Sequence, residues 1–435
     1  MKTTNHKQLK GFCVLPFIHL STRTDGSMQI CCHANSSSDP KNRRPGTNRK
    51  DTGEFVNLKV DKAEDYWNTD FMRTIRTDML ANKKPRACLT CYKEESLGYR
   101  SKRVWENEEW ENRINVGDLL NKVSSDGSIK YGINYVDMKL GNKCDLACVM
   151  CNPADSTQWI PDYNKLISAG SDELKNEIHW NKSEAGGYNW WKNNKTYWND
   201  IYEQLHNLKH IYIIGGEPTI NKEFKVFLQY CVDNNYAKDI ELRFNTNGQT
   251  LDNELKELYK SFKHCLVHLS MDGIEQRYTY IRYPGTWEKE LNVLKYWDDM
   301  PDNVTVDIDC TVSALNVSHI PEFVRWKMDQ GFKKLNKRRF GGTIGMHFLW
   351  TPNFLGINNL NKEIKQKAQQ DIMKLRMELG KQVTDRYKKF DALISALDKP
   401  AKNIPLLVEY LDKMDRIRGT SWTDTFPELI SLRQN

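Results

Sequence analysis

From about residue 130 the chain alternates short apolar runs with amphipathic ones, in the rhythm of strands separated by helices. The runs NYVDMKL (134–140), HIYII (210–214), IELRFN (240–245), CLVHLSM (265–271), VTVDIDCTV (304–312) and GMHFLW (345–350) predict six strands. Helical patterns lie between several of them. In FKVFLQYCV, for instance, Phe224, Phe227, Leu228 and Cys231 recur at helical spacing. Such alternation predicts a parallel sheet, either open or rolled into a barrel.

The polar positions narrow the choice. A parallel strand covered on both faces should be apolar throughout, and four of these strands are not. Asp137 and Lys139 share one face, as do Arg243, Asn245 and Asn247 on another strand. His268, Ser270 and Asp272 form a third set, and Asp307, Asp309, Thr311 and Ser313 a fourth. One polar and one apolar side per strand predicts an α/β fold. It is a partial (βα)6 barrel with helices outside and a polar, ligand-holding lumen, since a packed eightfold barrel fills its interior with branched aliphatics. Asp309 sits mid-strand on the polar side and is the candidate catalytic carboxylate. Its structural alternative is an ion pair with Lys139 or Arg243.

Residues 155–209 form a long insertion holding Trp159, Trp180, Trp190, Trp191 and Trp198, expected to be a lid, a partner surface or a helical subdomain. The expected organisation is an N-terminal domain over 1–125, the barrel over 130–357 and a helical C-terminal segment over 358–435.

Hydrophobic residues at 39% and charged residues at 28% describe a soluble globular protein. The first residues lack the apolar segment of a signal peptide, and no run of ~18 apolar residues occurs, so a cytoplasmic protein without membrane spans is expected. The formal charge of +7 is modest. The basic runs at 41–50 and 333–339 read first as solvated surface and second as phosphate contacts.

Cysteine placement changes the picture most. Of eleven cysteines, Cys231, Cys265 and Cys310 sit singly in apolar segments and read as small hydrophobes. The other eight are clustered, which in a reducing compartment favours metal binding over disulfides. Cys144, Cys148 and Cys151 follow the first strand with spacing C-x3-C-x2-C. Closed zinc and iron–sulfur sites take four protein ligands, so three leave one metal position open for chemistry. Cys13, Cys31, Cys88 and Cys91 form a second set, C-x12-G-x4-C followed by C-x2-C, with Cys32 a spare thiol and a zinc ribbon an alternative. At the end of the second strand, Gly215 and Gly216 permit close backbone approach, Glu217 offers a carboxylate suited to an ammonium group, and Pro218 fits a first helical turn.

Taken with GGEP, NTNG (245–248), SMDG (270–273) and SALNV (313–317), the three-cysteine spacing resembles the radical S-adenosylmethionine enzymes over residues 134–357. The resemblance implies a [4Fe–4S] cluster on Cys144, Cys148 and Cys151, its open iron chelated by S-adenosylmethionine. It places Gly215, Gly216 and Glu217 at the cofactor's amino group. Ser270 is implied at the ribose, with Asn247, Asp272 and Asn316 nearby. Met150 stands where the family often has an aromatic residue against adenine, and its thioether is suited to the same contact.

The N-terminal set resembles the SPASM/twitch auxiliary domains, here a twitch-type domain with one auxiliary [4Fe–4S] cluster, although such domains usually follow the barrel. The activity implied is reductive cleavage of S-adenosylmethionine to a 5′-deoxyadenosyl radical that takes a hydrogen atom from a substrate. An electron donor such as flavodoxin or ferredoxin is implied, and a peptide or protein as substrate. The alternative from another class is an iron–sulfur protein that binds nucleic acid or modifies RNA through its basic runs. GGEP and SMDG argue against a pure binding module, which needs no cofactor grip.

Overall fold

A computed structural model describes residues 8–34, 45–96, 100–178, 188–335, 339–349, 351–384 and 388–434. The strands are β1 (His19–Thr22), β2 (Met28–Gln29), β3 (Tyr135–Lys139), β4 (His210–Ile214), β5 (Glu241–Thr246), β6 (His264–Ser270), β7 (Val304–Val312) and β8 (Gly345–Phe348). They form one sheet in the order β2-β1-β3-β4-β5-β6-β7-β8. β1 pairs antiparallel with β2, whereas β1–β3, β3–β4, β6–β7 and β7–β8 are parallel. The α/β fold is as expected, and the six anticipated strands are β3 to β8. The barrel is not closed. Two strands were not anticipated: β1 and β2 come from the N-terminal cysteine segment and extend the sheet past β3.

The chain divides into two compact units, Met1–Gly141 with Tyr188–Gly215 and Val226–Arg243, and Asn142–Gly187 with Gly216–Lys225 and Phe244–Asn435. The tryptophan-rich insertion is split between them. Trp180 and parts of both basic runs lie outside the described residues.

In the first unit, the helix Asp70–Leu80 presents Met72, Ile75 and Met79 on one face to a core with Phe12, Leu15, Phe17 and Ile18. Thr69 caps it by accepting from the Met72 N–H. Arg76, on the same helix, is fully buried yet meets no carboxylate. Its guanidinium donates to the carbonyls of Pro16 (2.8 Å) and Trp67 (3.0 Å) and to Asn68 Oδ1 (2.8 Å), and lies over the Trp67 ring. With a further bond to the Gly127 carbonyl at 3.4 Å, one side chain thus gathers three chain segments by their backbone acceptors. From the insertion, the Trp190 indole donates to the Thr24 carbonyl at 3.0 Å and the Trp198 indole to that of Trp191 at 2.8 Å.

In the second unit, the helix Ile404–Arg418 packs on Trp159–Ala169, and Lys362–Thr384 packs on Lys389–Leu397 and Ile320–Asp329. β7 is buried along nearly its whole length, including Asp307 and Asp309 on its polar side. Thr305 and Thr311 on the same side are half-buried.

Replacing Arg76 with methionine keeps the bulk but leaves the Pro16 and Trp67 carbonyls without donors. The expected loss is about 3 kcal/mol, at 1–3 kcal/mol for each buried acceptor left unmet, read as a lower urea midpoint. A midpoint equal to wild type would show that the guanidinium contributes nothing net.

Candidate active site and metal centres

The three clustered cysteines lie on a loop of the second unit, pinned largely by its backbone. Ala147 and Val149 N–H groups donate to the Tyr283 and Ile281 carbonyls at 2.7 and 2.8 Å. The Cys148 carbonyl accepts from the Trp159 indole (2.8 Å), that of Val149 from the Tyr410 hydroxyl (2.7 Å), and that of Ala147 from Arg418 (2.7 Å). Cys148 is buried, and Cys144 and Cys151 are partly so. Arg282 Nη1 stands 3.8 Å from the Cys148 sulfur, and its Nε lies 2.6 Å from Asp272 Oδ2. Burial works against charge on this guanidinium, but Asp272 and the Cys148 sulfur outweigh it and hold the group above its ordinary value. A hydrogen bond from Cys151 lowers the Cys148 thiol against the effect of burial, with Arg282 adding to the lowering. Burial pushes Cys144 up, and the neighbouring Cys148 adds to that.

Beside this loop, Gly216 has φ 49°, and a Cβ there would sit 2.1 Å from the Lys143 carbonyl oxygen. Glycine at this position is explained by approach to the cysteine loop itself, which the Glu217 N–H also joins through Lys143 O at 2.8 Å. Gly215 has φ 99°. Glu217 is buried. Its Oε1 accepts from the Thr219 N–H (3.0 Å) and from the hydroxyls of Thr219 and Thr246 (both 2.7 Å). Among the described residues, its Oε2 accepts only from the Asn247 N–H, at 2.6 Å. Burial raises this carboxyl against those bonds. One oxygen is saturated and the other has room for a further donor. Asn247 Nδ2 donates to Asp145 Oδ1 at 2.6 Å and lies 3.8 Å from the Cys144 sulfur.

Two of the anticipated cofactor contacts are engaged by protein. Asp272 accepts from the Thr311 N–H at 2.7 Å besides facing Arg282. The Asn316 amide donates to the Asp272 and Thr311 carbonyls, both at 3.0 Å, and accepts from the Ser313 N–H at 2.8 Å. Both brace the strand ends. Ser270 and Met150 are half-buried. Ser270 is in register with Asp309.

Among the described residues, Asp309 has two histidines of its own unit as ion-pair partners, rather than the lysine or arginine of the sequence alternative. Its Oδ2 lies 2.8 Å from His268 Nδ1 and 3.2 Å from His347 Nε2. Burial would raise its pKa, but the two imidazoles outweigh burial and hold it well below the usual carboxylate range. The His347 side chain is 61% exposed against 10% for Asp309, so the array runs from interior to surface. Nothing in the sequence pattern singled out His347.

In the first unit, Cys13, Cys31, Cys88 and Cys91 line one small cavity together with His33 and Arg103. Gly26, at φ 84°, closes the turn between β1 and β2 and returns Cys31 towards Cys13. Burial is the first cause raising all four thiols. Among the described residues, no three sulfurs of either cysteine set lie within 4.8 Å of one another.

Residues 138–326 match the radical SAM superfamily. The chain carries a radical SAM domain, whose superfamily implies a [4Fe–4S] cluster and S-adenosylmethionine, and it is an enzyme. An uncharacterized protein of Methanocaldococcus jannaschii, MJ0907, is 22% identical over 231 residues, which is 53% of this chain and 70% of that one. The GTP 3′,8-cyclase of Aliarcobacter butzleri is 24% identical over 152 residues, 33% of this chain and 36% of the cyclase. The match therefore spans about a third of the cyclase's own length. Among solved structures, anSMEcpe with bound AdoMet and Cp18Cys peptide is similar at 16% identity, with TM-score 0.35 over 56% of this chain and 59% of that one. Streptococcus suis SuiB bound to its precursor peptide SuiA has 12% identity and TM-score 0.33, over 85% of this chain and 75% of that one.

Asp309 yields a pH prediction. Its folded pKa is depressed, so the stability it contributes is fully present above its unfolded value near ~4 and disappears as pH falls through the folded one. Asp309→Asn should cost about 1.5–3 kcal/mol at neutral pH, with the gap to wild type closing below about pH 4. A gap that persists undiminished into strong acid would mean that the carboxylate charge is not its source.

Proposed function

We propose that this chain is a radical S-adenosylmethionine enzyme that modifies a peptide or protein and carries an auxiliary iron–sulfur cluster. The observation that carries the reading is the three-cysteine loop, pinned through its backbone, with a buried guanidinium at Cys148. Glu217 supports it, because its Oε2 can accept one more donor beside the same loop.

On this reading Cys144, Cys148 and Cys151 hold a [4Fe–4S] cluster, and Glu217, on the shelf with Gly215 and Gly216, receives the ammonium of S-adenosylmethionine. When bound, these groups supply one electron for cleavage of the sulfonium and a 5′-deoxyadenosyl radical for hydrogen abstraction. The protein's part is to position and to exclude water. Arg282 offsets thiolate charge, Asn247 ties Asp145 to the shelf, and Ser270 meets the ribose. Met150 lies against adenine, while Asp272 and Asn316 keep the strand ends in place. Asp309 acts on the substrate side, with His268 and His347 holding it ionised.

Residues 130–357 form the catalytic domain, 358–435 a helical segment and 1–125 the auxiliary domain, where Cys13, Cys31, Cys88 and Cys91 ligate a second [4Fe–4S] cluster. The peptide or protein substrate rests on the likeness of this cysteine set to twitch domains. A flavodoxin or ferredoxin type of donor supplies the electron.

Anaerobic reconstitution should give about eight irons per chain and about four after joint replacement of Cys144, Cys148 and Cys151 with alanine, at four irons per cluster. Reduced, reconstituted enzyme should release 5′-deoxyadenosine from S-adenosylmethionine, slowly without substrate. Its complete absence would sink the reading. Glu217→Gln should weaken S-adenosylmethionine binding in equilibrium dialysis by about 10- to 100-fold, the equivalent of ~1.5–3 kcal/mol for a charge-assisted bond.

A further inference from the structure

A second, smaller donor set stands beside the N-terminal cysteine quartet. Cys91 and Glu94 are three residues apart on the helix Leu89–Ser96 and therefore share a face. His33 reaches the same place from the turn after β2, which the Ala34 N–H closes on the Cys31 carbonyl at 3.1 Å. His33 Nε2 lies 3.0 Å from Glu94 Oε1. One ligand atom from each of His33, Cys91 and Glu94 lies within 4.8 Å of the other two, and no other trio of His, Cys, Asp or Glu among the described residues is as compact. This trio is the size of one ion.

The chemistry of the donors narrows the ion. Imidazole nitrogen, thiolate sulfur and carboxylate oxygen together suit a borderline divalent cation such as zinc, cobalt or ferrous iron. Calcium and magnesium prefer oxygen alone. Cys91 is buried, but the side chains of His33 and Glu94 are 37% and 33% exposed, so an ion has a route from solvent. Three protein donors leave the fourth tetrahedral position to water. Binding would release the Cys91 thiol proton to solvent.

We propose that His33, Cys91 and Glu94 bind one divalent cation of the zinc class when the quartet lacks its iron–sulfur cluster, and that cluster assembly displaces it. The displacement rests on the reading that Cys91 also belongs to the quartet.

The probe is cobalt(II), titrated anaerobically into the full-length chain after chelator treatment and reduction. One cobalt per chain is expected, with a charge-transfer band of one-thiolate intensity. His33→Gln and Glu94→Gln should each weaken binding about tenfold or more, and Cys91→Ser should abolish the band. Cys13→Ser and Cys88→Ser should leave it intact. Loading wild type with iron and sulfide should expel the cobalt, while His33→Gln still takes its full iron. A band lost in Cys13→Ser and Cys88→Ser but unchanged in His33→Gln and Glu94→Gln puts the ion in the quartet and overturns the proposal. Equal weak binding in every variant, an adventitious ion only, overturns it as well, and cobalt retained beside a full iron complement overturns the displacement. Unchanged iron in Cys13→Ser counts against the quartet instead, and the expected cobalt pattern would still support the single-ion site.

Discussion

Three thiols within eight residues repel one another once ionised, and the second unit is arranged around that repulsion. Its answer is Arg282, a buried cation set between the Cys148 sulfur and the Asp272 carboxylate. A lone guanidinium at this depth would be costly, and breaking such a buried pair typically loses about 3–5 kcal/mol. Asp272 is fixed in turn by the Thr311 N–H, and its carbonyl by the Asn316 amide. The residues on either side of Arg282 bind the cysteine loop through their carbonyls. The charge that makes the thiolates tolerable and the backbone that shapes their loop thus belong to one short stretch, 281–283. A change at the end of β7 would reach the cysteines through two hydrogen bonds and one ion pair.

Strand spacing and the cysteine motifs were legible because both are local patterns. VTVDIDCTV and HIYII fall on the bounds of β7 and β4, since an apolar run ended by turn residues defines a strand whatever packs on it. Partners were not legible, because no periodicity links them. Tyr410 and Val149 are 261 residues apart, and Arg418 and Ala147 are 271 apart. The C-terminal helix that delivers Tyr410 and Arg418 reads from sequence only as amphipathic.

The imidazole partners of Asp309 were illegible for a similar reason. Reading the polar faces one strand at a time left the sheet order open, and three strands stand between β3 and β7. Parallel register sets Ser270 and Gly345 level with Asp309, which makes His268 and His347 its diagonal neighbours two residues along on either side. Diagonal neighbours at that spacing are within reach of long side chains.

Three buried carboxylates of the second unit, Glu217, Asp272 and Asp309, are compensated in three chemically different ways, and the difference bears on what each can do. Glu217 is met by N–H and O–H donors whose protons do not leave at any ordinary pH, so it is a fixed acceptor with one oxygen to spare. Asp272 is met by a guanidinium, which keeps its own charge at any ordinary pH. Asp309 is met by two imidazoles, the side chains whose unperturbed charge change falls between pH 5 and 8. His347, the outer of the two, is open to solvent. Asp309 is therefore linked to the surface through an imidazole, whereas Asp272 and Glu217 are held by guanidinium, amide and hydroxyl donors.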